Sequence, residues 1–295
     1  MRALEVLDTG PLTTVQDSGR HGHAALGVGV SGAADPPAFA LANRMVANPA
    51  GAAALEVTLG GLRARALSDL TIAITGATST VTIDGRAAAL HSVLPLPSGS
   101  HLRLGRPERG LRTYVAVRGG VAVDPVLGSR STDTLAALGP APLTPGTVLP
   151  VGPAPHAWPV TDLAPVAPPP GEDIDLRVTL GPRDDWFHDE AIATLLSRSY
   201  QVSDQCDRVG IRLIGPHLPR RHTGELPSEG MVPGALQVPP SGQPVLFLAD
   251  HPVTGGYPVI AVVRSADVGH AAQARPGARL RFHASPRHIS AQASG

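Results

Sequence analysis

Among 295 residues stand 33 glycines and 31 prolines, spread through the whole chain. Proline removes a backbone donor and blocks the helix interior, and glycine weakens a helix by about 1 kcal/mol relative to alanine. A chain punctuated this densely is built of short strands and tight turns, with few helices. Aromatic residues are only 3% of the chain against 42% hydrophobic residues, so the core is expected to be Val, Leu, Ile and Ala.

Strand-like stretches fall at Ala3–Leu7, Leu55–Leu59, Leu70–Thr75, Thr80–Ile83 and Thr113–Val117, then at Asp175–Leu180, Gln243–Leu248, Val259–Val263 and Ala278–Phe282. Asp35 followed by Pro36 predicts a helix to about Ala47, stopped by Asn48-Pro49. Further helices are expected at Asp184–Arg198 and, shorter, between Asp267 and Pro276. The stretch Pro150–Asp173 contains eight prolines and no periodic pattern, and reads as a linker. The expected organisation is mainly β: an N-terminal unit 1–150, a linker 151–173, a C-terminal unit 174–288 and a tail 289–295, each unit a barrel or sandwich.

All 24 basic residues are arginine, and lysine is absent. That excludes Schiff-base and pyridoxal-phosphate chemistry, a Walker-type phosphate loop, and a role as biotin or lipoyl carrier. The 24 arginines are balanced by 24 carboxylates, which leaves no electrostatic footprint for nucleic acid or an anionic membrane; a small-molecule substrate or a protein partner is expected. A single cysteine, Cys206, permits no internal disulfide and fits a reducing compartment. Glu5 and Asp8 interrupt the start where a secretory signal would be apolar, and no apolar run approaches membrane-spanning length, so a soluble cytoplasmic protein is expected.

The polar residues that stand out pair an acid with an arginine in turns. Thr13–Arg20 contains Gln16, Asp17 and Arg20; Gly128–Asp133 contains Arg130; Asp207-Arg208-Val209-Gly210 is the third. Each is able to grip an anionic substrate or simply to brace its own loop. Ser228–Pro239 and Asp250–Pro258 add Glu229, Gln237, Asp250, His251 and Tyr257, group types suited to acid/base work, though Glu229 capping a turn and Tyr257 filling a barrel corner account for them equally. His21-x-His23 lacks further ligands at metal-site spacing, so no metal is expected.

Together these stretches resemble one family. LTTVQDSGRHG (Leu12–Gly22), GVGVSGAAD (Gly27–Asp35), ALEVTLGG (Ala54–Gly61), GSRSTD (Gly128–Asp133), DRVGIRLIG (Asp207–Gly215), SEGMVPGALQVP (Ser228–Pro239) and TGGYPVIAVV (Thr254–Val263) are similar to the KipA-like family. Its other names are allophanate hydrolase subunit 2, the biotin-dependent carboxyltransferase family, and the C subunit of bacterial 5-oxoprolinase. The resemblance implies two cyclophilin-like β-barrel domains, a KipI-like protein and a LamB/YcsF-like protein as partners, and ATP used by the complex to open 5-oxo-L-proline to L-glutamate. Phosphorylating the carbonyl oxygen of an unstrained lactam creates a leaving group, and water attack then needs donors for an anionic centre.

Carried onto this chain, the resemblance marks Gln16, Asp17, Arg20, Ser31, Gly32, Asp35, Arg130, Asp207 and Arg208 as cleft residues, with Glu229, Gln237, Asp250 and Tyr257 as the catalytic candidates. Arg20 or Arg130 is expected to hold a substrate carboxylate, and Asp250 or Glu229 to move the proton. Asp250-His251-Pro252-Val253 departs from the family's usual Asp-Arg-Gln-Thr, and Cys206 from its usual serine, which leaves a substrate other than 5-oxoproline open. Two rival functions follow. One is a carboxyltransferase acting on urea-like acceptors, with biotin supplied by another chain; the other is a non-catalytic antagonist of a KipI-like protein.

Overall fold

The computed structural model of the chain describes residues 2–222, 224 and 226–284; the expected tail 289–295 lies outside the described residues. Mainly-β architecture holds throughout. In the N-terminal half the strands divide into two sheets. One runs, in hydrogen-bonded order, Val148–Pro150, Ala3–Thr9, Leu62–Ala66, His101–Leu104, Val81–Ile83 and Arg86–Ala88. The other runs Leu12–Gln16, Ala54–Thr58, Arg109–Val117, Leu70–Thr78 and Val93–Leu96. Their facing sides enclose one core that includes Leu4, Val6, Leu55, Val57, Ile72, Leu102 and Val115, aliphatic as the composition required.

The C-terminal half closes into a seven-stranded barrel: Asp173–Leu180, Val259–Val263, Ala235–Gln237, Val245–Phe247, Gly210–Ile214, Ser199–Cys206 and Arg279–Ala284, the last pairing in parallel with the first. Ladder closure is thus confined to this half, where it leaves no unpaired edge.

Three α-helices complete the described structure. The first, α1 (Pro36–Met45), is capped by Asp35, whose Oδ1 accepts from Ala38 N at 3.2 Å. Its Phe39, Ala42 and Met45 pack on the outer face of the second sheet through Ala54, Ala73 and Tyr114. The helix expected over Asp184–Arg198 breaks at Phe187, which is extended, into a 3₁₀ turn and α2 (Asp189–Ser197). The third, α3 (Ser265–Ala272), begins two residues before Asp267, which instead receives both the backbone N–H and the guanidinium of Arg177. One expectation fails differently: Thr13–Gln16, read as part of a turn, lies in the buried strand Leu12–Gln16, paired along its length with Ala54–Thr58. Its threonines and valine, all β-formers, were the signal.

The proline-rich stretch lies on the N-terminal half. Arg118, itself buried, donates to Pro155 O at 2.6 Å and Ala157 O at 2.7 Å and stacks 4.4 Å from the Trp158 ring.

The two halves are joined by polar bonds rather than by an apolar interface alone. Gln273, at the end of α3, uses its whole amide on the other half. Its Oε1 accepts from Leu111 N at 2.8 Å and Arg112 N at 2.9 Å, while its Nε2 donates to Asp35 Oδ2 at 2.8 Å and Arg112 O at 3.0 Å. Arg112 answers by donating to Ala272 O and, at 3.0 Å, to Asp207 O. Burial pushes the Asp35 carboxyl up, outweighing the Gln273 and Ala38 hydrogen bonds. Gln273→Ala leaves buried donors and acceptors of the N-terminal half unpaired, each costing about 1–3 kcal/mol. We expect a lowered denaturation midpoint by calorimetry, whereas an unchanged midpoint would show that the join does not depend on this amide.

Candidate functional site

At the seam between the halves one guanidinium gathers the charged residues. Arg208 enters from the barrel side, from the turn before Gly210–Ile214, and is 1% exposed. It donates to Asp250 through Nε (2.9 Å to Oδ2) and Nη2 (2.9 Å to Oδ1), to Gly32 O at 2.6 Å, and to Glu56 Oε1 through Nη1. Burial alone would lower its pKa, but the charges of Glu56 and Asp250 and their hydrogen bonds raise it. The cation is therefore permanent, with two buried anions fixed around it.

Glu56 sits in the middle of the strand Ala54–Thr58, with Oε2 accepting from Ala34 N at 2.9 Å and Tyr114 Oη at 2.8 Å. Burial first, then the charges of Glu56 and Asp35, push the Tyr114 hydroxyl well above its ordinary pKa, so it remains a donor. Asp250 is fully committed as well: Oδ1 accepts from Ser31 Oγ at 2.6 Å, and Oδ2 accepts from Thr134 N at 2.9 Å and Oγ1 at 2.8 Å. Burial raises the Asp250 pKa, but Arg208, Ser31 and Thr134 together bring it below the usual carboxylate value.

A second anion lies beside this group. Asp17 Oδ1 accepts from Gly19 N at 2.8 Å and from Ser129 and Ser131 Oγ at 2.6 Å each, and Oδ2 accepts from Arg130 N at 2.6 Å. Burial opposes ionisation, and these four donors overcome it to lower the pKa. The loops 17–20 and 30–33 cross at backbone distance, with Arg20 N donating to Val30 O and Ala33 N to Asp17 O. Only glycine allows this crossing: a Cβ on Gly19 (φ +90°) would lie 2.6 Å from Val30 O, and one on Gly32 (φ +89°) 3.0 Å from Gly19 N. Ser31, between them, is held at φ +56° without being glycine. Such strain persists where surrounding contacts over-determine a residue, and it concentrates at functional sites.

Two clefts flank this network. One, of about 690 Å³, is lined by Asp17, Ser18, His21, Val30 and Ser31 with the start of α1 on one side, and by Val232, Pro233, Ala249, Ser265 and Val268 on the other. Its walls are largely apolar, and its polar groups converge at Asp17 and Ser31. The second, of about 500 Å³, is lined by residues from the stretches 24–29, 133–136 and 251–254. There His251 Nδ1 lies 2.8 Å from Pro252 O; a carbonyl only accepts, so Nδ1 carries the proton and Nε2 is the free nitrogen.

The structure therefore brings together Gln16, Asp17, Arg20, Ser31, Gly32, Asp35, Arg208 and Asp250 from the expected set. The remaining expected residues stand elsewhere or are turned away. Arg130 contributes its backbone N–H, while its Nε donates to Val123 O at 2.6 Å. Asp207 caps its own turn through Val209 N and Gly210 N. Glu229 is paired with Arg183 on the ribbon it forms with Thr254–Gly255 and lines neither cleft. Gln237 Nε2 donates to Tyr257 O at 3.0 Å, and the Tyr257 ring is 45% exposed, outside both clefts. Arg20 is buried with Nη2 on Ser131 O and Nη1 3.8 Å from Asp133 Oδ2. Its guanidinium is turned away from both clefts, and among the described residues no arginine lines either one. Asp250 does not pair with His251.

The chain belongs to the carboxyltransferase domain family: residues 26–284 match the description "Carboxyltransferase domain, subdomain A and B". It is 40% identical to the C subunit of 5-oxoprolinase from Escherichia coli (strain K12), over 95% of this chain and 90% of that one. It is 34% identical to urea amidolyase of Saccharomyces cerevisiae (strain ATCC 204508 / S288c), over 95% of this chain but 16% of that one. Among solved structures it matches TTHA0988 with a TM-score of 0.88 at 38% identity, over 96% of this chain and 56% of that chain. It matches the K. lactis urea amidolyase with a TM-score of 0.90 at 31% identity, over 95% of this chain and 18% of that chain. The chain thus spans about half or less of these solved relatives.

Removing one partner of a buried charge cluster costs about 3–5 kcal/mol. Asp250→Ala is expected to destabilise by that order, measured by urea unfolding. Because Asp17 and Asp250 have folded pKa values below their unfolded ones, their contribution is complete above about pH 4 and is lost as pH falls through the folded values. An unfolding midpoint that stays flat from about pH 6 to about pH 3 would contradict the arrangement.

Proposed function

We propose that this chain is one component of a 5-oxoprolinase-type complex, which converts 5-oxo-L-proline, ATP and water to L-glutamate, ADP and phosphate together with a KipI-like and a LamB/YcsF-like protein. The match to the C subunit of 5-oxoprolinase over 90% of that protein's length carries this reading. Among the described residues no helix is long and apolar enough to cross a membrane.

In this reading the larger seam cleft takes the small ring. Its apolar walls suit the methylenes of a five-membered lactam, and Ser31 is the hydroxyl that meets the reacting amide. Ser31 lines the cleft and its Oγ donates to Asp250 at 2.6 Å, which fixes the hydroxyl so that its remaining lone pair accepts from the ring N–H. Arg208 keeps Asp250 ionised. The catalytic roles expected for Glu229, Gln237 and Tyr257 are not used, since none of them lines the cleft. No described arginine lines either cleft and Asp17 repels an anion, so a triphosphate does not fit here, and in this reading the carboxylate of 5-oxoproline takes its cation from a partner protein. No step at Ser31 is therefore assigned to ATP.

The competing carboxyltransferase reading draws on the urea amidolyase relatives. A lysine-free chain cannot itself carry biotin, so that reading requires a separate biotinylated chain and predicts inhibition by avidin.

The decisive experiment assembles this chain with its two partner proteins and measures glutamate release from 5-oxoproline with and without ATP. ATP-dependent, avidin-resistant release is expected; none at all would overturn the proposal. Ser31→Gly tests the site within it, because glycine accepts the positive φ while removing the hydroxyl. We expect release to fall about 10²-fold or more, with the chain still folded and destabilised by no more than the one lost hydrogen bond, about 1–3 kcal/mol. Unchanged release would remove Ser31 from the chemistry.

A further inference from the structure

On a different part of the seam, away from Ser31, lies a groove of about 660 Å³ that neither the family match nor the seam network accounts for. One wall is the turn into the strand Arg109–Val117, with Arg106, Glu108, Arg109 and Gly110; the other is the loop after α3, with Gln273, Arg275 and Gly277; and Pro170 to Glu172 of the proline-rich stretch close one end. Three guanidiniums therefore share one concave surface assembled from both halves.

These guanidiniums are not neutralised. The side chains of Arg106 and Arg109 make no hydrogen bond or ion pair to any described residue, and no described carboxylate oxygen, including those of Glu108 and Glu172, lies within 4 Å of the three. Arg275 crosses from the C-terminal half and is held by carbonyls only, through Nε on Gly110 O and Nη2 on Pro107 O. Burial, and then the like charge of Arg106, push its pKa down. A partly buried cation held rigidly next to another cation is unfavourable by itself and favourable once an anion lies between them. At Arg208, by contrast, the chain matches a buried guanidinium with two carboxylates.

We infer that this groove binds a phosphate-bearing anion, through Arg106, Arg109 and Arg275. Its volume lies in the range of small-ligand sites. Arginine's planar fork recognises phosphate oxygens bidentately, and Gly277 leaves its backbone open to close approach, with no atom nearer than Gln201 Nε2 at 4.0 Å to where a Cβ would lie. The anion is either the polyphosphate of a nucleotide or inorganic phosphate released from one. Naming the nucleotide rests on the proposed function; the anion site itself does not. Gln273 lies on the groove and bonds to Asp35, the cap of α1, whose first turn lines the larger seam cleft. An occupant is thereby connected by two hydrogen-bonded side chains to the candidate site.

The test is titration calorimetry on the full chain with tripolyphosphate, ATP, inorganic phosphate and adenosine as separate probes. Binding of tripolyphosphate and ATP with Kd below about 1 mM, but not of adenosine, is expected, with weakening of at least about tenfold in the Arg106→Ala, Arg109→Ala double variant. Those two side chains make no bond to a described residue, so the variant's melting temperature should stay unchanged. Phosphate binding as tightly as tripolyphosphate would assign the site to the released ion; ATP and tripolyphosphate binding alike, and phosphate weakly, would assign it to a polyphosphate chain. Absence of binding by every phosphate probe, or equal binding by the double variant, overturns the inference. Because the readout is binding by one chain, it is independent of whether the assembled complex releases glutamate.

Discussion

A single buried cation holds the two halves in register. Arg208 pairs with Asp250 from its own half and with Glu56 from the other. Burying a guanidinium is costly unless its donors are filled by anions and carbonyls in fixed directions. The consequence runs outward. Glu56 fixes Ala34 and Tyr114, Asp250 fixes Ser31 and Thr134, and Gly32 lends its carbonyl, so the whole 31–35 loop is placed by bonds that trace back to one side chain.

The fold was largely legible because its signals are local. Glycine and proline density excluded long helices, Asp35-Pro36 marked the start of α1, and most strands were visible as short apolar runs. Ladder closure in one half and the two-sheet division of the other were not, since they depend on pairings such as Asp173 with Arg279, 106 residues apart, that leave no local trace. Thr13–Gln16 was obscured by the polar turn that follows it.

The site was half legible. Asp17, Ser31, Arg208 and Asp250 come from motifs that mix charge with glycine, which is where buried polar clusters show in a sequence. Glu56 was hidden by its own motif: Leu55-Glu56-Val57 reads as an ordinary strand, although an acid at a buried strand position is itself the clue. Gln273 and Arg112 had no clue at all, because a side-chain amide becomes a clamp only when the second half arrives. Glu229 and Tyr257 drew attention as reactive types in an unusual stretch, but Glu229 is spent on Arg183 and Tyr257 lies at the surface.

The seam also sets an order of events during synthesis. Asp35 and Gln273 are 238 residues apart, and Ser31 and Asp250 are 219 apart. At translation speeds of about 5–20 residues per second, the N-terminal sheets wait on the order of 10–50 s with Glu56 and Asp35 still lacking their partners. A nascent chain in that interval exposes an unfinished polar face at the start of α1, with buried-type carboxylates open to water. Truncation anywhere before Gln273 leaves Asp35 permanently without its partner.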